Sequence, residues 1–550
     1  MDYNKIADAM YPNIDKDINY YLNKYKKRDL PEGAEVTRIA PSPTGYLHIG
    51  SLFGALIDHR IANLSNGVFC MRLEDTDQKR EVANAGEIAY NALVEYNVCP
   101  TEGYRGENLS EVGEYGPYVQ SKRLDIYHAF AKDMVKSGNA YPCFCEKTES
   151  KDEVLKKREE QLDSSDTLED KDICRNLTEE EIINNIKLGK KFALRLKSQG
   201  DINKTIKIVD RIKGEREIRE NAKDAVLIKN NGIPVYAFAH LVDDTLMGTT
   251  TVVRGEEWYQ SLAVHLELFK LCGLNPPRYA HTPVICKIDD GNKRKLSKRK
   301  DPEADARYMI KEGYPIVAVV EYLLNLVNSD FEEWRKNNPD LMWTEFPFAP
   351  EKIGSNNPIF DFNKLNDVSK NIFAKMSAIE VYDGLLKWSN TYDCEFAKYL
   401  LDNKNYVVKV LDIDRGGEKP RKDIYKFSNI KDYYSYMFFD YKNLNFDYSG
   451  YEQFDKDLLF KIFNDYIQNF NESDTKEEWF NKVKLLAEKY NFCTNNKEYK
   501  ANPNKYLGNT ATLCTLIRII VTGRQQTPDL YSICVVLGVE KLKNILNFLK

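Results

Sequence analysis

No run of apolar residues in this 550-residue chain is long enough to cross a bilayer. The most apolar stretch, Ile316 to Val327, is too short for a span and carries Glu321. The N-terminus also lacks the apolar core of a secretory signal. An excess of positive charge is missing as well: 79 Lys and Arg face 84 Asp and Glu, a net −5. That excludes a generally basic nucleic-acid binder but leaves room for a local basic face. The 11 cysteines are odd in number and follow no disulfide framework, which argues against secretion and for a reducing cytoplasm. No Walker A, GxGxxG or HExxH motif competes for the chemistry. An apolar content of 42% is ordinary for a packed protein, and the length suggests roughly three or four domains.

What is present centres on Arg38 to Ser51, which reads RIAPSPTGYLHIGS. Val36 and Ile39 suit a short strand, and Pro41 to Gly45 suit only a loop. Ile49, Leu52, Phe53, Leu56, Ile57, Ile61 and Leu64 recur at helical spacing, and Asn66-Gly67 supplies a stop. Val68 to Leu73 reads as a second strand, ending in Glu74-Asp75-Thr76-Asp77. Strand, loop, helix and strand make a parallel βαβ unit, whose ligands sit beyond the strands' carboxyl ends. Arg38, Ser42, His48, Gly50 and Glu74 gather there. The helix start favours a phosphate, Gly50 lets a flat base approach and His48 offers a donor. The plainer alternative is that His48 caps a helix and Gly50 relieves packing.

A second strand end appears at Thr251 to Arg254, followed by a helix, as the other half of one split sheet. Further on, Gly291 to Lys300 reads GNKRKLSKRK, six Lys or Arg in ten residues. It is either a solvated basic loop, a nucleic-acid patch, or a mobile loop bringing ammonium groups onto phosphates.

RIAPSPTGYLHIGS resembles the HIGH signature of class I aminoacyl-tRNA synthetases, in its glutamyl form, with Ser51 at the fourth position. Lys295-Leu296-Ser297-Lys298-Arg299 resembles the KMSKS signature, Leu replacing Met and Arg the last Ser. Gly116-Pro117-Tyr118-Val119-Gln120-Ser121-Lys122-Arg123 and Glu74 to Asp77 also resemble glutamyl synthetases. Glutaminyl relatives carry Pro-Glu-Pro-Asn where Pro41-Ser42-Pro43-Thr44 stands here.

The resemblance implies an α/β fold: a class I Rossmann-type parallel-sheet catalytic domain, split by a connective α+β insertion and followed by an all-α anticodon-binding region. Residues 1–35 would be an N-terminal extension with one docking helix around Ile6, Met10 and Ile14. Residues 36–115 and 226–304 would be the catalytic halves and 116–225 the acceptor-binding insertion. A stem-contact helical domain at 305–385 and the anticodon-binding domain at 386–550 would complete the chain. Catalysis would fall to His48, Gly50, Lys295 and Lys298. ATP would meet Pro41, Ser42, Thr44, Gly45, His48, Gly50, Ser51 and the segment Lys295, Leu296, Ser297, Lys298, Arg299. Glutamate would meet Arg38, Ser42, Glu74, Tyr236, His240, Arg254 and Trp258, two arginines serving two carboxylates and Glu74 the ammonium. Arg518 and Leu530 match anticodon-contact positions, with helix surface and core as the alternatives.

The implied partners are L-glutamate, ATP with its Mg²⁺ and tRNA(Glu), with tRNA(Gln) left open as a second acceptor. Activation would need bound tRNA. A cytoplasmic monomer without membrane contact is expected. The alternative from another class is a non-catalytic tRNA-binding paralogue. Cys143, Cys145 and Cys174 resemble the family's zinc module, but Asn176 occupies the fourth ligand position. Structural zinc wants four donors, so the alternative is reduced thiols in a small core.

Elsewhere, Glu81 to Tyr96 reads as helix and Lys147 to Glu181 as an exposed helical hairpin. Phe192 to Leu196, Ile206 to Asp210 and Asp224 to Lys229 read as strands. Asp305 to Asn328 reads as one helix, the chain from Met376 onward as almost wholly helical, Lys419 to Lys422 as a basic turn and Pro528 as a first helical residue.

Overall fold

The computed structural model describes residues 1–76, 82–145, 173–417, 420–439 and 441–549. Asp77, Glu81, residues 147–172 of the expected hairpin and Lys419 lie outside them. The chain divides into two compact units, Met1–Tyr308 with Val320–Asp361, and Met309–Val319 with Phe362–Lys550.

Four consecutive buried residues form β1 (Val36–Ile39), which pairs in parallel with β2 (Val68–Met71), Val36 opposite Val68 and Ile39 opposite Met71. Burial on both faces is what a covered parallel sheet requires. The 16-residue helix α3 (Ile49–Leu64) makes the crossover. It stops as expected: Asn66 turns left-handed at φ 53°, and a side chain at Gly67 would lie 1.9 Å from the Glu35 carbonyl oxygen. Helix α4 (Ala85–Glu95) then leads to β3 (Glu102–Gly103), which pairs in parallel with β2.

The N-terminal extension holds two helices where one was expected. α1 (Tyr3–Met10) is capped by Asp2 and α2 (Ile18–Lys24) by Asp17. Ile6, Ala7 and Met10 are buried with residues of α5 (Leu124–Lys136). The extension then ties down: Arg28 pairs with Glu102 and donates to the Met247 carbonyl at 2.7 Å.

Three antiparallel strands form the insertion's sheet: β4 (Ala140–Cys143), β5 (Ala193–Leu196) and β8 (Val226–Ile228), with β5 central. Between them run helix α6 (Glu179–Lys187), started by a Thr178/Glu181 capping box, and the hairpin β6 (Thr205–Asp210) and β7 (Gly214–Arg219). The hairpin belongs to another sheet, of order β7-β6-β10-β9, with β9 (Thr251–Gly255) and β10 (Arg278–Thr282) in parallel. The strands therefore do not divide at residue 225: β8 stays with the insertion, and β6 joins β10. Pairing partners are chosen by tertiary packing, which period-two alternation does not encode. Helices α7 (Tyr236–Leu246) and α8 (Leu262–Leu271) flank β9 in the chain. The two parallel sheets meet edge to edge. The Thr250 N–H donates to the Val36 carbonyl at 2.9 Å, and the Val36 N–H donates to Thr250 Oγ1 at 2.9 Å.

Half of the basic run is strand rather than loop. β11 (Cys286–Asp289) and β12 (Asn292–Lys295) form a hairpin, because Asp290 and Gly291 both take positive φ, 47° and 78°. The single helix expected over Asp305 to Asn328 is two, Ala306–Lys311 and Ile316–Val327; left-handed Gly313 and Pro315 interrupt it.

Among the described residues the second unit is helical apart from one short parallel pair, Phe492–Cys493 with Gly508–Asn509. Its core includes Leu385, Val410, Phe463, Leu516 and Ile533, each fully buried. Gly523, at φ 75°, ends helix Thr510–Thr522. The last helix begins at Leu530, not Pro528, because the Asp529 carboxylate caps the Ser532 N–H at 3.0 Å. Among the described residues no helix is long and apolar enough to cross a membrane.

Candidate active site

The carboxyl ends of β1, β2 and β9 open onto a cavity of about 490 Å³. Thirteen of the residues expected at the site line it: Arg38, Pro41, Ser42, His48, Gly50, Ser51, Glu74, Tyr236, Arg254, Trp258, Lys295, Leu296 and Lys298. Thr44, Gly45, His240, Ser297 and Arg299 do not.

At the phosphate end His48 is the N-cap of α3. Its Nδ1 accepts the Gly50 N–H at 2.9 Å, so Nε2 carries the proton. A side chain at Gly50 would meet that Nδ1 at 3.0 Å, so the glycine and the ring orientation go together. Burial, then the Lys298 and Lys295 charges, push the His48 pKa down to about 4. The imidazole is neutral at pH 7.

Opposite stand the two lysines. Lys298 and Tyr46 clasp each other: the ammonium donates to the Tyr46 carbonyl at 2.8 Å and the Tyr46 hydroxyl to the Lys298 carbonyl at 2.7 Å. Lys295 pairs with Glu257 at 2.7 Å, both side chains about half exposed. Arg294 faces elsewhere, forking onto Asp301 at 2.6 and 2.8 Å, and the Ser297 N–H donates to the same carboxylate at 2.8 Å. Leu296 is the buried anchor.

At the amino-acid end Arg38 and Arg254 are 4% and 7% exposed. Arg38 Nε lies 3.3 Å from Asp244, and Nη1 donates to the Val253 carbonyl at 3.4 Å. Arg254 Nη1 lies 3.4 Å from the Tyr236 hydroxyl, whose ring packs 4.4 Å from Trp258. Glu74 is fixed from behind, its N–H donating to the Pro41 carbonyl at 3.0 Å. Burial raises its carboxyl to about 7, against the pull of Arg72 and Arg38. His240 sits deeper, fully buried, with Nδ1 on Asp244 and Nε2 2.9 Å from the Tyr279 hydroxyl. Burial lowers its pKa to about 4, Asp244 opposing.

Several residues behind the site gave no sequence signal beyond their charge. Arg72, Asp244 and His281 are buried against Glu74, Arg38 and Arg254 in turn, and Asp243 and Asp210 are buried one contact further back, on Arg72 and His281. A buried charge has to be paired, and the partners lie far apart in the chain.

The remaining expected residues lie elsewhere. Leu530 is 2% exposed, in the helical core, and Arg518 is half-buried. The sulfurs of Cys143, Cys145 and Cys174 lie within 4.8 Å of one another, with Cys145 and Cys174 3.5 Å apart. Tetrahedral zinc places thiolates roughly 3.8 Å apart, so the three fit around one ion as three of four ligands.

A parallel sheet split by an insertion, with a nucleotide loop at β1 and a lysine segment facing it, is the catalytic domain of a class I aminoacyl-tRNA synthetase. Residues 35–335 match the family described as "tRNA synthetases class I (E and Q), catalytic domain". The particular family follows from relatives over almost the whole length: the chain belongs to the glutamate–tRNA ligase family. It is 43% identical over 544 residues to the glutamate–tRNA ligase of Acetivibrio thermocellus, covering 99% of each chain. It is also 43% identical over 554 residues to that of Clostridium beijerinckii, again covering 99% of each. The crystal structure of a glutamate tRNA ligase from Elizabethkingia meningosepticum shares the fold, with a TM-score of 0.74 at 24% identity, covering 94% of this chain and 99% of that one.

Proposed function

We propose that this chain activates L-glutamate with ATP and transfers it to the 3′ end of tRNA(Glu), in cytoplasmic protein synthesis and as a monomer. The observation that carries the reading is one cleft holding two buried guanidiniums, Arg38 and Arg254, beside Glu74 and across from His48, Lys295 and Lys298.

In the first step a glutamate α-carboxylate oxygen attacks the α-phosphorus of ATP, which carries its own Mg²⁺, and pyrophosphate leaves. In-line chemistry of this kind needs placement and charge neutralisation rather than a protein nucleophile. Arg254 holds the α-carboxylate, Arg38 the side-chain carboxylate, and Glu74 and Ser42 the ammonium. His48 donates from Nε2 to the phosphates, with the α3 N-terminus beside it. Lys298 and Lys295 exchange Tyr46 and Glu257 for the departing pyrophosphate. In the second step the terminal ribose hydroxyl attacks the acyl carbon, its proton leaves, and AMP is released. The insertion built on β4, β5 and β8 would receive the acceptor end, 305–385 the stem and 386–550 the anticodon, with Arg518 on that side.

Aminoacylation of purified tRNA(Glu) and tRNA(Gln), with ATP–pyrophosphate exchange measured in the presence and absence of tRNA, tests the reading. Glutamate charging of tRNA(Glu), with exchange only when tRNA is present, is expected. Charging of tRNA(Gln) in the same assay would add a second acceptor. tRNA binding without exchange or charging would leave a non-catalytic binding protein instead.

A further inference from the structure

Arg254 is held on three sides. Its Nε donates to His281 Nε2 at 2.9 Å, its Nη1 lies 3.3 Å from His265 Nε2, and its guanidinium carbon sits 4.9 Å over the Tyr279 ring. Nη2 is buried and has no hydrogen-bond partner, and the residue lines the cleft. Among the described residues no carboxylate pairs with this guanidinium. Leaving a buried donor open is costly, so an acceptor on Nη2 is the arrangement's natural completion.

The His281 contact is set by a proton. His281 Nδ1 lies 2.6 Å from Asp210 Oδ2, and both side chains are fully buried. An ionised carboxylate only accepts, so Nδ1 carries the hydrogen and Nε2 turns its lone pair to Arg254. Asp210 is fixed in turn, because its Oδ1 accepts the N–H groups of Ile212 and Lys213 at 2.9 Å each. Burial keeps His281 below its ordinary pKa, so the ring stays neutral and able to accept.

We infer that Asp210 and His281 are positioning residues, fixing the imidazole tautomer that aims Arg254 Nη2 at a carboxylate of the amino-acid substrate. This rests on the role given to Arg254 above. Neither residue reaches the cleft; each acts through the guanidinium.

Asp210→Asn in the otherwise unaltered chain is the informative variant. With Oδ1 kept by two backbone N–H groups, the new NH₂ replaces Oδ2 and donates to His281 Nδ1. The ring proton then moves to Nε2, where it meets Arg254 Nε donor against donor. Volume is unchanged. Glutamate KM should rise roughly 10- to 100-fold, as a misplaced binding group does, with ATP KM much less affected. His281→Gln, whose amide oxygen can accept from Arg254, should lose less than His281→Leu. That pair gives the same reading if Asp210→Asn folds poorly. In an Arg254→Gln background Asp210→Asn should add little, because the effect runs through the guanidinium. An unchanged glutamate KM in Asp210→Asn, beside a raised one in Arg254→Gln, overturns the inference and leaves the role of Arg254 standing. A full additional penalty in the double variant also overturns it, pointing to general distortion. If Arg254→Gln itself leaves glutamate KM unchanged, the role of Arg254 is wrong and the inference falls with it.

Discussion

Arg72 donates from Nη1 to Asp244 at 2.9 Å, and neither side chain has exposed surface. The same guanidinium lies 3.4 Å from Asp243 and 3.4 Å from Glu74. Asp243 continues outward, accepting from Gln120 at 2.9 Å, Arg123 at 2.7 Å and Tyr127 at 2.8 Å, all at the start of the insertion. Asp244 continues inward to Arg38 and His240. One buried cation thus stands between the insertion's first helix and the amino-acid end of the cleft.

Removing that cation leaves Asp243 to Arg123 and Asp244 to Arg38, one positive charge short in a dry interior, where breaking a buried pair costs several kcal/mol. Arg72→Ala should lose about 3–5 kcal/mol of stability. Arg72→Lys keeps the charge but cannot fork between partners, and should fall in between. Urea unfolding measures both, and an unchanged midpoint for Arg72→Ala would contradict the argument.

This network also marks where sequence reading stops. The helix start at His48 and Gly50 is legible because a cap is local chemistry, written within three residues. The β1–α3–β2 unit is legible because its apolar periods are local too. Arg72 with Asp244, or Asp210 with His281, are contacts across 172 and 71 residues, and no period announces them. Nothing local to Asp243-Asp244 names Arg72 as their partner. His240, expected at the ligand, is held back by Asp244 and Tyr279. Strand β8 was legible as a strand, but its pairing with β5 was not, because strand pairing is set by tertiary packing.

The raised carboxyl of Glu74 makes glutamate binding pH-dependent. With a folded pKa near 7 against 4.5 unfolded, the folded chain keeps a proton the unfolded chain has lost, so this group's contribution to stability falls as pH rises across that window. Binding runs the other way, since the substrate ammonium wants the carboxylate. Glutamate KM should drop roughly ninefold from pH 6 to 8, as the ionised fraction climbs from about a tenth to nine tenths. His48, already neutral above about 4, adds nothing in this range. Glu74→Gln should show a higher KM with a flat profile; a profile that keeps its slope in Glu74→Gln assigns the titration elsewhere.

Lys298 donates to the Tyr46 carbonyl at 2.8 Å, so under the proposed mechanism it has to exchange that partner for a phosphate. Lys298→Ala should slow tRNA-dependent pyrophosphate exchange roughly 100- to 1,000-fold, the loss seen when one transition-state donor is removed. Glutamate binding should hardly change. Exchange near the unaltered rate would remove Lys298 from the mechanism.

The last prediction concerns how glutamate is told from glutamine. Arg38, next to last in β1, has its Nε on Asp244 and its Nη1 on the Val253 carbonyl, a geometry that leaves the guanidinium fixed at the cleft wall. Two parallel hydrogen bonds to a carboxylate suit such a fork. Glutamine offers one carbonyl oxygen and one NH₂, so one arginine donor would face another donor in a buried site. A site built for a hydrogen bond rejects such an analogue by ~3–6 kcal/mol. Arg38→Gln keeps some length and polarity but removes the charge. It should raise glutamate KM steeply and shrink the preference for glutamate over glutamine. Arg254→Gln should raise glutamate KM and leave the preference, since both amino acids carry the α-carboxylate. The Tyr236 hydroxyl stands beside Arg254, 3.4 Å from Nη1. If Arg254→Gln loses the preference and Arg38→Gln keeps it, the two arginines hold the opposite carboxylates.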